Sequence, residues 1–372
     1  MIVFLVEPQR NPKLPVLDSG DDQYFYPLLE AARRRRIKVD YITGRGVIPE
    51  NAELYVSVHP HYAYGWKKRV DRTVVLYHGL GDGELGGFYC STRPLFLNRI
   101  SIPTRLWRGW LVPGEKFANG YPKYLRDHVK VVGFPKLDLF FSEKKKEMME
   151  VVREQCALKL PFPNTVIYAP TFWPSYSLQV IQDSVEIGRR LIEASQSDDF
   201  NLILKAHTNI GRNGYGLGLL KLMEKYQKKS GINCLIPPGK MIRSKGWVDN
   251  IVPLFWFADV LVSDYSSTLR EFMVTDKPSV QVLSPFYKPL PGMYHTELNQ
   301  LTETLSRAFD RIADPHEERL LQVKHYMFKA DGHSSDRAIS ALLELCEAGI
   351  IHKLFHRLTS KMIEYSRHIF AS

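Results

Sequence analysis

The sequence predicts a two-domain α/β protein in which each domain is a doubly wound parallel sheet and the two face each other across a cleft. Three observations predict it. Short apolar runs alternate with helical or loop segments along both halves of the chain. A charged helical segment and a proline-rich stretch separate the halves, and 372 residues suit about two domains. In such sheets ligands sit where strand ends converge.

Taken in order, Ile2 to Val6 is the first strand. MIVFLVEPQR has an apolar start but no preceding positive region and no small-residue cleavage site, so it reads as a strand rather than a signal peptide. A helix follows over Tyr24 to Arg36. Its end carries Arg33 to Arg36, where positive charge complements the helix dipole and equally offers a surface to an anionic ligand. Strands at Ile37 to Ile42, Leu54 to Val58, Val74 to Tyr77 and Val129 to Val132 complete a first domain over 1–141. The charged helix Ser142 to Leu158 and the KLPFPN run form a connection over 142–164. A second domain, 165–348, repeats the rhythm with strands at Thr165 to Ala169, Leu202 to Lys205, Ile232 to Ile236, Val260 to Ser263 and Val280 to Leu283.

The last segment, 349–372, differs. Leu354, Phe355, Leu358, Met362, Tyr365 and Ile369 recur at helical spacing, with Lys353, Arg357, Lys361 and Arg367 among the polar positions. Such a basic amphipathic helix either lies on a membrane surface or packs its stripe onto the domains.

Fifty Lys plus Arg against 40 Asp plus Glu give a formal charge of +10, which favours an anionic partner. Nucleotides and anionic lipids qualify; no nucleic-acid motif accompanies the charge, so nucleic acid is set aside. Cys90, Cys156, Cys234 and Cys346 are widely spaced, with no CxxC pair and no histidine at finger spacing. That indicates neither a disulfide framework nor a metal site, and it fits a reducing cytoplasm. No apolar run approaches the ~20 residues needed to cross a bilayer.

The most telling stretch is VLVSDYSSTLREF, Val260 to Phe272. An apolar strand ends in Asp264 and Tyr265, and then Ser266, Ser267 and Thr268 open a helix whose apolar spacing is set by Leu269, Phe272 and Met273. Free N–H groups and hydroxyls at a helix start attract phosphate, although serine and aspartate also serve there as plain caps. Three further segments place reactive groups after strand-like runs. VVLYHGLGDGELGG carries His78 and Gly79, NLILKAHTN carries Lys205 and His207, and TVIYAPTFWPSYS carries Thr171. One histidine would stand on each wall of the cleft, which suits group transfer: one takes a proton from an acceptor hydroxyl while the other stabilises developing charge. The glycine loop suggests dinucleotide binding, but His78 precedes its first glycine, the loop follows a late strand and no clear helix begins after it, so the full fingerprint is not met. GxxxxGK[ST], GxSxG and HExxH are absent, which disfavours several nucleotide-binding and hydrolase classes.

Together these motifs resemble the CDP-glycerol glycerophosphotransferase family, which builds or primes teichoic acids and related capsular polymers. The ordered set is HG at His78 and Gly79, VGFPKLD at Val132 to Asp138, YAPTFW at Tyr168 to Trp173, LKAH at Leu204 to His207, ADVLVSDYSS at Ala258 to Ser267, Glu271 with TDKP to Pro278, and DGHSSDR at Asp331 to Arg337. The resemblance implies a GT-B-like fold and transfer of glycerol phosphate, or a related alditol phosphate, from CDP-glycerol to a hydroxyl of a membrane-linked or polymeric acceptor, releasing CMP. It implies His78 as general base and His207 as stabiliser of the phosphate or leaving group. It also implies a donor-binding set of Gly79, Thr171, Lys205, Asp264, Ser266, Ser267, Thr268 and Glu271, with Ser335 and Arg337 near the pyrophosphate. No cofactor and no metal are expected beyond the donor. The location expected is cytoplasmic, peripheral on the inner face of the membrane if the terminal helix binds lipid.

The chain departs from the family where HG runs on into LGDGELGGFY, losing a lysine and adding Asp82 and Glu84, and where a KPHP-like motif reads KAHT. A UDP-sugar-dependent GT-B glycosyltransferase or epimerase, and a non-catalytic nucleotide-binding module at the membrane surface, are the alternatives to the transferase reading.

Overall fold

The computed structural model describes residues 1–6, 22–43, 51–58, 72–77, 80, 108–121, 123–171, 178–198, 200–207, 210, 216–237, 250–285 and 288–348. Two six-stranded sheets with every pairing parallel build two lobes. The first contains β1 (Ile2–Val6), β2 (Val39–Thr43), β3 (Leu54–Ser57), β4 (Thr73–Leu76), β5 (Gly109–Val112) and β6 (Val129–Val131), in the order β2-β1-β3-β4-β5-β6. The second contains β7 (Thr165–Tyr168), β8 (Asn201–Lys205), β9 (Ile232–Leu235), β10 (Val260–Ser263), β11 (Ser279–Val282) and β12 (Tyr294–Thr296). Its order is β12-β11-β10-β7-β8-β9, the doubly wound pattern with one reversal, between β7 and β10.

The strands β3, β4, β5, β7, β8, β10 and β11 are buried at every position, as sheets covered on both faces require, which is why most of their residues are apolar. Two strands were not expected. GWLV (β5) begins with a glycine, and YHT (β12) is three residues long with its central His295 exposed, so neither shows a strand's pattern.

The helices are α1 (Asp22–Arg34), α2 (Glu115–Asn119), α3 (Lys145–Gln155), α4 (Leu178–Ser197), α5 (Leu217–Tyr226), α6 (Ser267–Phe272), α7 (Leu301–Phe309), α8 (His316–Tyr326) and α9, over 334–348. The first ends before the sequence reading placed it because Arg36 turns left-handed at φ 55. Ile37 N–H then reaches the Ala32 carbonyl at 2.9 Å, and Arg36 N–H the Arg33 carbonyl at 3.0 Å, a Schellman closure. Helix α3 stops in the same way at Ala157, φ 49, with Leu158 N–H on the Arg153 carbonyl at 2.9 Å.

The arginine cluster that closes α1 is engaged within the protein. Arg33 pairs with Glu30 at 2.6 Å, Arg34 with Asp336 at 3.0 Å, and Arg35 donates to Ser340 Oγ at 2.8 Å. The last two bind α9, which lies against the first sheet: Arg108 donates to the Leu345 carbonyl, and Lys130 pairs with Glu344 at 3.0 Å. Thus α9 follows the second sheet in sequence but packs on the first. The lobes also share one apolar cluster. It runs from Phe4, Leu54 and Leu111 through Leu137 and the 3-10 turn Val252–Trp256 to Ile167, Ile203 and Leu261 on one face of the second sheet. The opposite face of that sheet has its own core around Tyr168, Leu191 and Phe200.

Among the described residues no helix is long and apolar enough to cross a membrane. The amphipathic stripe from Ile351 to Ile369 lies outside the described residues.

Candidate active site

The reversal between β7 and β10 leaves a crevice at their carboxyl ends, because the chain departs from these two neighbours towards opposite sides of the sheet. Thr171 follows β7 and Asp264 follows β10. The Thr171 N–H and Oγ1 both donate to Asp264 Oδ1, at 2.8 and 2.6 Å, and Tyr265 N–H donates to Thr171 Oγ1 at 3.3 Å. Ser263 Oγ adds a bond to the Ala169 carbonyl at 2.5 Å. These bonds stitch the two strand ends together. Asp264 is 4% exposed, and its Oδ2 is buried with no hydrogen-bond partner among the described residues. A buried carboxylate oxygen left open in this way is an acceptor waiting for a donor.

Ser266 caps α6: its extended backbone (φ −70, ψ 143) turns Oγ to accept from Thr268 N–H at 3.3 Å, while the same hydroxyl donates to Thr268 Oγ1 at 3.0 Å. Ser267 donates to Glu271 Oε1 at 3.4 Å, and Glu271 Oε2 receives Lys136 Nζ at 2.6 Å. Lys136 comes from the first lobe, in the 3-10 turn Pro135–Phe141, and both partners are buried. A carboxylate inside the second lobe is thereby neutralised by an ammonium from the first.

One strand further across, β8 delivers Lys205 and His207. Lys205 is buried and His207 exposed, on the same side of the molecule as the crevice because β8 runs parallel to β7. Desolvation in the crevice, then the ammonium groups of Lys205 and Lys136, lower the imidazole's pKa to about 4. All three effects favour the neutral ring near pH 7. The pull of Lys136 on His207 ties the Glu271 network to β8.

The structure therefore gathers Thr171, Asp264, Ser266, Ser267, Thr268 and Glu271 at one strand-to-helix junction in three hydrogen-bonded groups, with Lys205 and His207 following the neighbouring strand β8. His78 and Gly79 lie outside the described residues. Ser335 and Arg337 lie at the start of α9, beside the 3-10 turn that carries Lys136. The Ser334 and Ser335 N–H groups donate to Asp138 Oδ1 and Oδ2 at 3.0 and 2.6 Å, so a first-lobe carboxylate caps this helix. The guanidinium of Arg337 is engaged by the Val132 carbonyl, by Asp331 and by the Lys329 carbonyl, each at 2.9 Å. The backbone is so close here that a Cβ on Gly133, φ 90, would stand 2.5 Å from Ser334 Oγ. VGFPKLD and DGHSSDR are thus two halves of one joint. Asp138→Ala, which strands two buried N–H groups, is expected to cost about 1–3 kcal/mol in a urea melt; an unchanged midpoint would refute the capping role.

Two residues of this region, Lys136 and Arg270, were not singled out from the sequence. Lys136 stood inside VGFPKLD, where only its burial beside a carboxylate would have distinguished it from a surface lysine.

Comparisons with known proteins bear on the family and the fold. Residues 115–344, more than half of the chain, match the family model described as CDP-Glycerol:Poly(glycerophosphate) glycerophosphotransferase. No curated protein matches in sequence. Among solved structures, the wall teichoic acid polymerase TagF superposes with a TM-score of 0.60 at 14% identity, over 93% of this chain and 89% of that one. A TagF variant soaked with CDPG gives 0.60 at 13% identity, over 94% and 89%. UDP-GlcNAc 2-epimerase from Neisseria meningitidis, bound to UDP-GlcNAc, gives 0.55 at 12% identity, over 92% and 100%. At these identities the likeness shows the fold, which is the two-lobed GT-B-like arrangement expected from the sequence. By the family match, the chain belongs to the CDP-glycerol:poly(glycerophosphate) glycerophosphotransferase family and is an enzyme, a CDP-glycerol glycerophosphotransferase.

Proposed function

We propose that the enzyme moves glycerol phosphate, or a related alditol phosphate, from its CDP-linked donor to a hydroxyl of a membrane-linked or polymeric teichoic-acid-type acceptor. The observation that carries this reading is the meeting of Ser266, Ser267, Lys205 and His207 at the strand reversal of the second sheet, where a donor pyrophosphate finds hydroxyls, a buried ammonium and an imidazole.

In this reading the acceptor oxygen bonds to the phosphorus that carries the glycerol, and the bridging P–O bond breaks so that CMP leaves. His78 takes the acceptor proton. Neutral His207 donates an N–H hydrogen bond to the pyrophosphate, and that bond strengthens as the leaving CMP gathers charge beside it. Lys205 supplies fixed positive charge. Positioning and charge stabilisation dominate phosphoryl transfer, so such groups suffice for the chemistry. Asp264 Oδ2 is open to a donor group of the nucleotide, and Thr171 keeps Oδ1 occupied. The basic stripe over 351–372 would hold the enzyme at the inner membrane face, beside a lipid-linked acceptor.

The test is a donor panel scored for nucleotide release. CMP from CDP-glycerol or CDP-ribitol, dependent on a hydroxyl acceptor and lost in His78→Ala with the fold intact, is the expected result. UDP release from UDP-sugars with no CDP-donor turnover would reject the reading, as would an inactive panel combined with tight nucleotide binding. Near-normal turnover of His78→Ala would remove that residue from the mechanism.

A further inference from the structure

Helix α6 does more than offer its first turn to a ligand. Arg270, four residues after Ser266, is 3% exposed, and its Nη1 donates to the carbonyl of Leu80 at 2.9 Å. Leu80 belongs to the first lobe, 190 positions earlier in the chain, and is fully buried. The guanidinium lies over the ring of Tyr326, 4.6 Å from its centroid, at the end of α8. Tyr326 in turn touches the first lobe: its ring meets Phe117 of α2 edge-on, 5.9 Å between centroids, and its hydroxyl accepts from Lys116. Phe117 packs at 4.8 Å on Tyr77, the residue that follows β4. A buried arginine therefore joins the helix behind the SDYSST junction to the chain just past β4, through one direct hydrogen bond and one aromatic relay.

We propose that Arg270 is a positioning residue that holds the chain at the carboxyl end of β4 in register with the donor-binding junction of β10. A buried guanidinium needs planar, directional partners, and the Leu80 carbonyl and the Tyr326 ring are two of them. The bond goes to main chain, so it fixes where the first-lobe segment runs whatever side chain Leu80 carries. Glu271, the next residue of α6, makes the other cross-lobe contact, to Lys136. Two adjacent residues of one six-residue helix thus reach the first lobe at two places, and α6 sets the distance between the facing strand ends. The proposal rests on the transfer reading only for the identity of the reaction it affects.

The test uses the full chain with Arg270→Met and Arg270→Lys. In Arg270→Met, kcat for CMP release is expected to fall on the order of 10–100-fold, as a displacement of reacting groups would cause, while the donor KM stays within about threefold. Amide exchange in the peptide spanning 76–82 should quicken with no matching change in the β7 and β8 peptides. Arg270→Lys, whose ammonium still reaches a carbonyl, should recover part of kcat. Wild-type kcat in folded Arg270→Met, or a fall in kcat with unaltered exchange at 76–82, would overturn the proposal. If Arg270→Met does not fold, Tyr326→Leu removes the stacking platform and is read by the same two measurements, unchanged values in both overturning it. If the enzyme proves inactive on every CDP donor, the exchange measurement alone decides, and the failure of the transfer reading stays distinct from that of the positioning role.

Discussion

Lys136→Met is expected to lower the unfolding free energy by about 3–5 kcal/mol, because it leaves Glu271 as an unpaired carboxylate in a buried site. The side chains are 8% and 2% exposed and 2.6 Å apart, so water cannot take the place of the lost ammonium. Ser267 Oγ, at 3.4 Å from the other carboxylate oxygen, makes a weak substitute. The double variant Lys136→Met, Glu271→Leu should regain most of the loss, since exchanging a buried pair for apolar groups of similar size is often neutral or stabilising. Urea titration of the two singles and the double closes a mutant cycle. A single-variant cost below about 1 kcal/mol would place the pair in the weak class of exposed ion pairs and refute its role as a cross-lobe tie. The double variant should remain folded yet transfer poorly, because the field of Lys136 at His207 has been removed.

His207→Ala is expected to lower kcat by about 10²–10⁴-fold, the range for losing a positioned proton-transfer or charge-stabilising group. The exposed ring contributes little packing, so the melting temperature should barely move at neutral pH. The imidazole's resonances in the free protein should titrate near pH 4, and bound CDP-glycerol or inorganic pyrophosphate should move that transition upward, because an anion beside the ring offsets Lys205 and Lys136. With its folded pKa below the ordinary 6.5, the ring binds its proton more readily in the unfolded chain, so the stability it supports is intact above pH 6.5 and is lost as the pH falls to about 4. The alanine variant lacks that loss and should be the more acid-resistant of the two. An imidazole that titrates near 6.5 and ignores pyrophosphate, or a kcat within twofold of wild type, would sink this assignment.

Ten of the twelve described strands were legible because β-strands covered on both faces must be apolar throughout, and VLVS or LYVS can hardly be read otherwise. The SDYSST junction was legible for a related reason: a run of hydroxyl residues between an apolar strand and an apolar-spaced turn has few places to go except a helix start. What the sequence concealed were the pairings between lobes. Lys136 and Glu271 are 135 residues apart, Leu80 and Arg270 are 190, and Asp138 caps a helix 197 residues on. Periodicity reports which face of an element is buried, never which distant element lies against it. The arginine cluster of α1 illustrates the same blindness. Its charge pointed equally to a helix dipole and to an anionic ligand, and the structure shows Arg34 bound to Asp336 on α9, an acidic partner from the far end of the chain.

The shared apolar cluster constrains how substrates come and go. Swinging the lobes apart as rigid jaws would uncover the contact between Leu137, Leu254 and Phe255, and each ~100 Å² of apolar surface exposed to water costs about 2.5 kcal/mol. Large hinge excursions therefore carry a hydrophobic cost. Substrate exchange must leave the shared apolar cluster intact.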